Sequence, residues 1–516
     1  MCCQCEHSGM NRRNFIGLSA LGAAGAGLAL SSKGRAGSAE WNPSKQMLKT
    51  GKPLKIQPIL LYSLPKRKKQ TSWRSWGGIQ TEEDVAAEVV RITKELEAME
   101  KKADIKLDIQ PLVQVTNVEQ ARRIANTGNY DVPIVYAASG WTDALEACFT
   151  KERNNLIFLR HRSGPIYLWY EIVHNRFLRQ GTEQTDLDEY RYPSGMTIDD
   201  IVVDDYDQLL SKLGSLYGVK NFIGHRIVAL GGASGWSNPD APEIAENKFK
   251  LDIVRVSYED LAKRLTLARQ DSKLDQQAKA AAETYLGVPD TSLHTEKQFV
   301  SNAFLLYKVF KDYLNEYDAA AFTIQHCMGT VMPISETTAC LPLSLLNDEG
   351  YPAFCESDFN VIPAGILLHY ISGKPVFLND PTFPHHGMVT VAHCTAPRRM
   401  DGIHYAPAKV VTHFESDYGA TPKVELPLGT GFTMVCPDGD QKRWLGFTGK
   451  VLDNPFYDIC RSQFDVSIDG DWKQLLQQHR GFHWMMAVGD YSEQVAYACS
   501  KIGVEWFNPS AQTSNA

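Results

Sequence analysis

Short apolar runs alternate with amphipathic helical patterns from Pro53 to about residue 400, and this alternation limits the fold more than any other feature of the sequence. Strands and helices in repeated alternation are typical of parallel α/β units. After about residue 405 the apolar runs are instead separated by Gly, Pro, Asp and Asn turns, which indicates an antiparallel barrel or sandwich. The sequence therefore predicts an α/β protein with three domains. Two Rossmann-like parallel domains are expected at residues 54–215 and 216–400, and a C-terminal β-barrel domain with a closing helix is expected at residues 401–516.

Composition and charge exclude other classes of protein. Hydrophobic residues make up 43% and charged residues 22% of the 516-residue chain, which excludes disordered, collagen-like and coiled-coil proteins. The formal net charge is −7 and the basic run Lys66–Lys69 is short, so we expect no nucleic-acid partner. Eight cysteines follow the N-terminal region without a CxxC pair, and their apolar neighbours favour buried thiols over disulfides.

The N-terminal region carries a targeting pattern. Asn11–Gly17 contains paired arginines, and the Gly/Ala/Leu stretch that follows ends in the small residues Ala36–Ala39. The stretch is too short and too rich in glycine to span a bilayer stably. We therefore expect residues 1–39 to be a twin-arginine signal peptide that is removed after export. The mature protein would then lie in the periplasm or another extracytoplasmic space and would have no stable membrane span.

Titratable side chains cluster near the ends of predicted strands between residues 319 and 393, with a further histidine near the C-terminus. In an open parallel sheet, ligands bind at the carboxyl ends of the strands. A mixture of carboxylates and imidazoles suits Mn²⁺, Mg²⁺, Co²⁺ or Zn²⁺. Taken singly, an acid at a strand end is equally an N-cap, and a histidine beside apolar residues is equally a core residue. The residues in question are Glu336, Glu356, Asp358, Asp380, His393 and His483.

Several motifs over about residues 300–500 carry a family resemblance. They resemble the core of the L-fucose/L-arabinose isomerase superfamily, whose members have two Rossmann-like domains followed by a β-barrel. The resemblance implies a homo-oligomeric, metal-dependent sugar isomerase. The matching stretches are residues 336–350, Ala353–Asp358, Pro375–Asp380, His393–Pro397 and Gly481–Tyr491.

The resemblance also implies roles for individual residues. Glu336 matches the first acid ligand and catalytic base, and Asp358 matches the second acid. His483 matches the C-terminal histidine ligand, and His393 falls where the arabinose isomerase branch has another. The expected cofactor is a divalent metal, Mn²⁺ in the first instance, with Mg²⁺, Co²⁺ or Zn²⁺ as alternatives.

The chemistry that follows is aldose–ketose interconversion through a metal-stabilised enediolate. A C–H bond next to a carbonyl is too weakly acidic for a free carboxylate to deprotonate at neutral pH, so a cation must polarise the sugar oxygens. One carboxylate then removes the proton and another returns it, and Glu336 and Asp358 are the predicted pair. An epimerase or lyase acting on a keto sugar or sugar acid, and a non-catalytic carbohydrate-binding relative, remain alternatives.

Further residues are candidates for binding the carbohydrate substrate. Arg398 would suit an acidic sugar or a solvated loop, and His161 would suit sugar recognition across a subunit boundary or a surface salt-bridge cluster. A glycine-rich turn, Gly231–Gly235, is compatible with a phosphate cradle or a plain strand-end turn. The full set of predicted substrate-binding residues is Glu356, Asp380, His326, Trp484, Arg398 and His161.

Overall fold

The first sheet is wholly parallel, as the sequence predicts. The computed structural model describes residues 41–179 and 193–509, so the predicted signal peptide lies outside the described residues. In spatial order the strands are Leu107–Ile109, Leu54–Leu61, Val132–Ala137, Leu156–Leu159 and Ile201–Val203, with Val113–Val115 also paired to Leu54–Leu61. The accompanying helices are Glu82–Lys102, Val118–Thr127, Thr142–Glu146, Leu168–Ile172 and Tyr206–Phe222, with a π-helical turn at Val173–Leu178 and 3₁₀ turns at Pro193–Gly195 and Ile198–Asp200.

Local sequence explains the first long helix. Thr81 and Asp84 form a reciprocal capping box that satisfies backbone N–H groups at its start. Val85, Glu88, Ile92, Leu96 and Met99 recur every three or four residues and form its buried stripe. The one acid in that stripe, Glu88, pairs with the fully buried guanidinium of Arg160, which compensates the cost of burying both charges.

The second sheet is also parallel. Its strands lie in the order Ala353–Phe354, Ala321–Ile324, Arg226–Leu230 and Asp252–Val256. The short strand Ala353–Phe354 leads directly into Glu356, which places that acid at the carboxyl edge of this sheet. Its helices are Ala241–Lys248, Tyr258–Gln270, Ser272–Leu286, Lys297–Glu316, Met332–Ser335, Cys340–Glu349 and Ile362–Ser372, with a π-helical turn at Cys327–Val331.

Six antiparallel strands close into a barrel. In order they are Gly431–Pro437, Trp484–Val488, Phe377–Pro381, Met388–His393, Ser462–Ser467 and Arg443–Asp453, the last pairing back to the first. Glu505–Phe507 adds a parallel strand beside Arg443–Asp453. A separate three-stranded sheet contains Thr421–Val424, Ala408–Val411 and Thr291–Leu293, and the remaining helices are Trp472–Gln478 and the predicted closing helix, Ser492–Lys501.

The barrel begins earlier than the sequence predicts. Phe377–Pro381 and Met388–His393 were expected within the second parallel domain, but they form an antiparallel pair inside the barrel. Both strands are largely buried, and burial alone does not reveal which sheet a strand joins. The connection between them, residues 382–387, is too short for a parallel crossover, which needs a dozen residues or more.

Hydrophobic packing unites these parts. One buried cluster runs from Ile56 and Ile134 of the first sheet through Ile227 of the second to Met485 of the barrel. No helix within the described residues is both long and apolar enough to cross a membrane. The eight cysteines of this part of the chain are buried free thiols, as their apolar neighbours predict.

Candidate functional site

Four titratable side chains from the second parallel sheet and the barrel converge on one point. Glu356 comes from the carboxyl edge of the sheet. Asp380 lies in the barrel strand Phe377–Pro381, His393 ends the neighbouring strand, and His483 immediately precedes the strand Trp484–Val488. The site therefore lies where the two parts of the fold meet, and neither part supplies it alone.

The donor atoms of these side chains are close together. Ligand atoms of Glu356, His393 and His483 all lie within 4.8 Å of one another. Nε2 of His483 is 3.3 Å from Oε2 of Glu356 and 3.1 Å from Oδ1 of Asp380. Nε2 of His393 is 3.7 Å from Oε1 of Glu356. We refer to Glu356, Asp380, His393 and His483 as the donor cluster.

Hydrogen bonds on the far side of each imidazole orient the two histidines. Nδ1 of His483 lies 2.7 Å from Oδ2 of Asp358, and because a carboxylate can only accept, the ring nitrogen donates. Nδ1 of His393 lies 3.0 Å from Oγ1 of Thr395. With Nδ1 protonated, the neutral imidazole presents the lone pair of Nε2 to the cluster.

Three residues of the donor cluster each have a buried polar atom without an aligned hydrogen bond. Oε2 of Glu356, Nε2 of His393 and Nε2 of His483 have little solvent contact and no hydrogen-bond partner of good geometry. The side chain of His483 is 0% exposed, while the side chain of Glu356 remains 18% exposed. Buried polar atoms without aligned partners are rare in folded proteins, and each such atom calls for an explanation.

The close charges shift the pKa values of the cluster. Burial lowers the pKa of His483, but its contacts with Asp358, Asp380 and Glu356 raise that pKa well above the ordinary imidazole value. Burial likewise opposes protonation of His393, and Glu356 raises its pKa overall. Burial raises the pKa of Glu356, yet the two histidines lower it further than burial raises it. The cluster thus favours positive charge at its centre, supplied by protons or by a cation.

Asp358 lies on the opposite side of His483 from the donor cluster. Its Oδ1 accepts hydrogen bonds from the backbone N–H of Trp236 at 3.0 Å, from the backbone N–H of Asn360 at 3.1 Å and from Asn360 Nδ2 at 2.7 Å. Its Oδ2 is engaged by His483, and the residue is 1% exposed. The sequence predicts Asp358 as a metal ligand, and the structure places it outside the donor cluster, where its contact with Nδ1 orients His483.

Glu336 is not a member of the donor cluster. It follows the short helix Met332–Ser335 in a left-handed conformation, with φ of 54°. Its side chain is 60% exposed, and its carboxylate lies 3.4 Å from the guanidinium of Arg269. The predicted ligand and catalytic base therefore points to the protein surface, because the left-handed turn ends the helix there. The acids that the structure brings together are Glu356 and Asp380, which were predicted as substrate-binding residues.

Two other predicted substrate-binding residues differ in accessibility. His326 is exposed in a left-handed conformation before the π-helical turn Cys327–Val331. Trp484 is fully buried in the barrel core, where its ring contacts Phe447 with centroids 5.6 Å apart. Alternation along a strand turns successive side chains to opposite faces, so Trp484 points into the core although it adjoins His483.

Arg398 and His161 have structural partners. Arg398 is fully buried, its Nε donates to the carbonyl of Ala406 at 2.9 Å, and its guanidinium lies over aromatic rings. It is neither the solvated residue nor the accessible anion-binding residue that the sequence suggested. His161 stacks on Tyr170 in the first parallel domain, with ring centroids 4.6 Å apart and an interplanar angle of 10°.

Two residues near the cluster escaped sequence-based prediction. Thr395 holds His393, and the His-x-Thr spacing that follows the strand was available as a signal. Trp236 follows the glycine-rich turn, whose Ser234 pairs with Asp358 in a parallel bridge. The turn is thus a strand-end turn packed against the site. No local pattern predicts the contact between Trp236 and Asp358, because the two residues are far apart in sequence.

No protein-family model matches the sequence, and no curated protein matches it significantly.

Proposed function

We propose that this protein is a metal-dependent sugar isomerase whose divalent cation is held by Glu356, Asp380, His393 and His483. The observation that carries the proposal is the convergence of ligand atoms of Glu356, His393 and His483 within 4.8 Å of one another, where each of the three residues has a buried polar atom without an aligned hydrogen bond. The motif resemblance supports a metal site that includes His483, although it implies Glu336 and Asp358 as the acid ligands where the geometry favours Glu356 and Asp380. The two parallel sheets would then correspond to the family's two Rossmann-like domains.

The donor set fits a divalent first-row metal or Mg²⁺. Two oxygen donors and two imidazoles form a mixed hard and borderline set, which suits Mn²⁺ and allows Co²⁺, Zn²⁺ or Mg²⁺. Two donors that share a cation at about 2.1 Å are about 3.0 Å apart at a right angle and about 3.4 Å apart in a tetrahedron. The separations of 3.1 Å and 3.3 Å around Nε2 of His483 agree with that requirement.

The residues of the site would have different roles in isomerisation: metal binding, proton transfer and orientation of the imidazoles. Glu356, Asp380, His393 and His483 would hold a divalent cation, which would supply Lewis-acid polarisation of the carbonyl and neighbouring hydroxyl oxygens of an open-chain sugar. The side chains of Glu356 and Asp380 are 18% and 15% exposed, and each carboxylate has the chemistry to take a proton from one carbon and return it to the next. Asp358 and Thr395 keep both imidazoles oriented throughout.

Metal analysis followed by a sugar panel tests the proposal. We expect purified protein to bind one equivalent of Mn²⁺ and to interconvert at least one aldose–ketose pair, with activity lost on chelation and restored by Mn²⁺. Glu356→Gln should lose both properties, while Glu97→Gln, which changes an exposed acid of the helix Glu82–Lys102, serves as the control. Stoichiometric metal without isomerisation of any sugar would favour an epimerase or lyase. Failure to bind any divalent metal would contradict the site itself and favour a carbohydrate-binding protein.

Export by the twin-arginine route and homo-oligomerisation complete the proposal. Twin-arginine transport moves folded proteins, so a metal acquired in the cytoplasm would already be in place on arrival. Fractionation of cells that express the full-length chain, followed by mass analysis of the mature N-terminus, tests the predicted processing near Ala39.

A further inference from the structure

A loop at the carboxyl edge of the first parallel sheet concentrates positive charge. Residues 62–81 connect the strand Leu54–Leu61 to the helix Glu82–Lys102, and they contain five cations and no acid. Lys66–Ser72 are consecutive exposed residues, so this part of the loop projects into solvent. We call residues 62–81 the basic loop, and its cations are Lys66, Arg67, Lys68, Lys69 and Arg74.

The cations of the basic loop are not used in ion pairs within the described residues. The ion pairs around the first sheet join other residues, namely Arg91 and Arg160 to Glu88, Arg160 to Glu95, Lys102 to Asp207 and Lys220 to Asp131. The acids that follow the loop, Glu82, Glu83 and Asp84, lie in the first turn of a helix, where the positive end of the helix dipole offsets their charge. The loop therefore presents positive charge to solvent.

Two exposed tryptophans lie at the same edge of the sheet. Trp76 belongs to the basic loop and is 43% exposed, and Trp141 follows the strand Val132–Ala137 and is 77% exposed. The N–H of Ser63 donates to Oγ of Ser139 at 2.9 Å, which joins the start of the loop to the residues just before Trp141. Large apolar side chains exposed in this way are typical of binding surfaces.

Backbone hydrogen bonds also hold the end of the basic loop. The N–H of Gly78 donates to the carbonyl of Ile166 at 2.7 Å, and the N–H of Leu168 donates to the carbonyl of Ala138 at 2.8 Å. The chain beside Trp76 is therefore connected to the strand end that leads to Trp141. The two indoles and the cations belong to one surface of the first parallel domain.

Cations together with exposed tryptophans suit an anionic lipid surface. Lys and Arg are attracted to acidic headgroups, and tryptophan prefers the interface between headgroups and acyl chains. Single-stranded nucleic acid would instead require a groove with free aromatic faces. Here the cations lie on a projecting loop, and the guanidinium of Arg74 lies over the ring of Trp73, 5.1 Å from its centroid. Charge complementarity and the exposed indoles thus favour a bilayer over a nucleic acid.

We propose that the basic loop, together with Trp76 and Trp141, binds the surface of a bilayer that contains anionic lipid. The inference does not depend on the proposed isomerase activity. The donor cluster lies where the second sheet and the barrel meet, whereas the lipid-binding surface belongs to the first sheet. Lipid binding would therefore hold the protein at a membrane without using any residue of the donor cluster.

Vesicle co-sedimentation tests the proposal. Residues 42–516 form one compact unit, so the chain is used from Glu40 onward, and the apolar stretch of the predicted signal peptide then cannot itself bind lipid. We expect binding to phosphatidylcholine vesicles that contain about 30% phosphatidylglycerol, and we expect that binding to be lost when NaCl is raised from about 50 mM to about 500 mM. The variant K66Q/R67Q/K68Q/K69Q should bind at least about 100-fold more weakly, since each cation near an anionic surface contributes about fivefold.

A matched variant and lipid quenching complete the test. K94Q/K101Q/R122Q/R123Q removes the same charge from exposed positions on the helices Glu82–Lys102 and Val118–Thr127, and its binding should stay within about twofold of the wild type. Brominated phosphatidylglycerol should quench tryptophan fluorescence on binding. Combining Trp76→Phe with Trp141→Phe should remove most of that quenching, because these indoles would be the ones that enter the interface.

Several results would overturn the proposal. One is failure of the wild type to bind anionic vesicles, and another is equal binding to pure phosphatidylcholine. Equal losses in the two quadruple variants would show a response to net charge alone, and unchanged quenching in the double tryptophan variant would exclude the indoles from the contact. Tighter binding of a single-stranded oligonucleotide than of anionic vesicles at the same salt concentration would assign the loop to nucleic acid. Dissociation of a wild-type oligomer by K66Q/R67Q/K68Q/K69Q alone would make the loop a contact between copies of the chain.

Discussion

Replacing Asp358 with asparagine separates a metal ligand from a residue that orients one. In the native protein Asp358 Oδ2 accepts from His483 Nδ1 at 2.7 Å, while Oδ1 accepts from Trp236 and Asn360. An asparagine oxygen can keep the Oδ1 contacts, but the amide NH₂ then faces Nδ1 of His483. Two donors cannot share that hydrogen bond, so Nδ1 must become the acceptor and the proton must move to Nε2. A protonated Nε2 has no lone pair for a cation.

The structure sets the size of the expected effect. Loss of a buried partner that orients a metal-bound histidine typically reduces metal affinity 10- to 100-fold, or about 1.4–2.7 kcal/mol. We expect Asp358→Asn to lie at the upper end of that range, because it imposes the wrong tautomer in addition to removing a partner. Glu356→Gln, which removes a charged donor of the cluster itself, should reduce affinity further.

Calorimetric titration of chelator-stripped protein with Mn²⁺ measures the effect. Asp465→Asn is the matched control, since Asp465 is also buried and its carboxylate accepts from Thr390 Oγ1 at 2.5 Å within the barrel. Thermal unfolding of each variant shows whether the fold is preserved. An affinity for Asp358→Asn within twofold of the wild type would refute the reasoning about Nδ1. A loss equal to that of Glu356→Gln would make Asp358 a direct ligand.

Three further predictions concern catalysis and pH. Glu336→Gln should retain isomerase activity within about threefold, because its exposed carboxylate pairs with Arg269, and abolished activity would restore Glu336 as the base. Burial lowers the pKa of His369 to about 4 in the folded protein. Below about pH 6.5 this histidine is therefore protonated in the unfolded chain but still neutral in the folded protein, so the free energy of unfolding falls as the pH drops. That loss approaches about 3 kcal/mol near pH 4, and chemical denaturation of His369→Gln should show a correspondingly flatter pH profile than the wild type. Neighbouring carboxylates raise the pKa values of both histidines of the donor cluster, so Mn²⁺ must displace protons and its affinity should increase with pH. Equal Mn²⁺ dissociation constants in titrations at several pH values would contradict this prediction.

Periodicity in the sequence was enough to predict the layers of the fold. The fully buried strand Val132–Ala137 and the capped, amphipathic helix Glu82–Lys102 are local patterns, and they gave the parallel units correctly. The barrel boundary was wrong for Phe377–Pro381 and Met388–His393, because a buried strand shows no preference for either neighbouring sheet until its partners are known.

The sequence by itself determined which kinds of chemistry the chain can support, since the number and type of acids and histidines do not depend on how they are arranged. Only the tertiary structure decided which of them act together. Glu356 and Asp358 are two residues apart, yet Glu356 approaches Nε2 of His483 and Asp358 approaches Nδ1. Left-handed backbone at Glu356 and Ser357, with φ of 62° and 51°, turns the chain between them. The two carboxylates reach opposite sides of an imidazole brought from the far end of the chain, and no local pattern contains that contact.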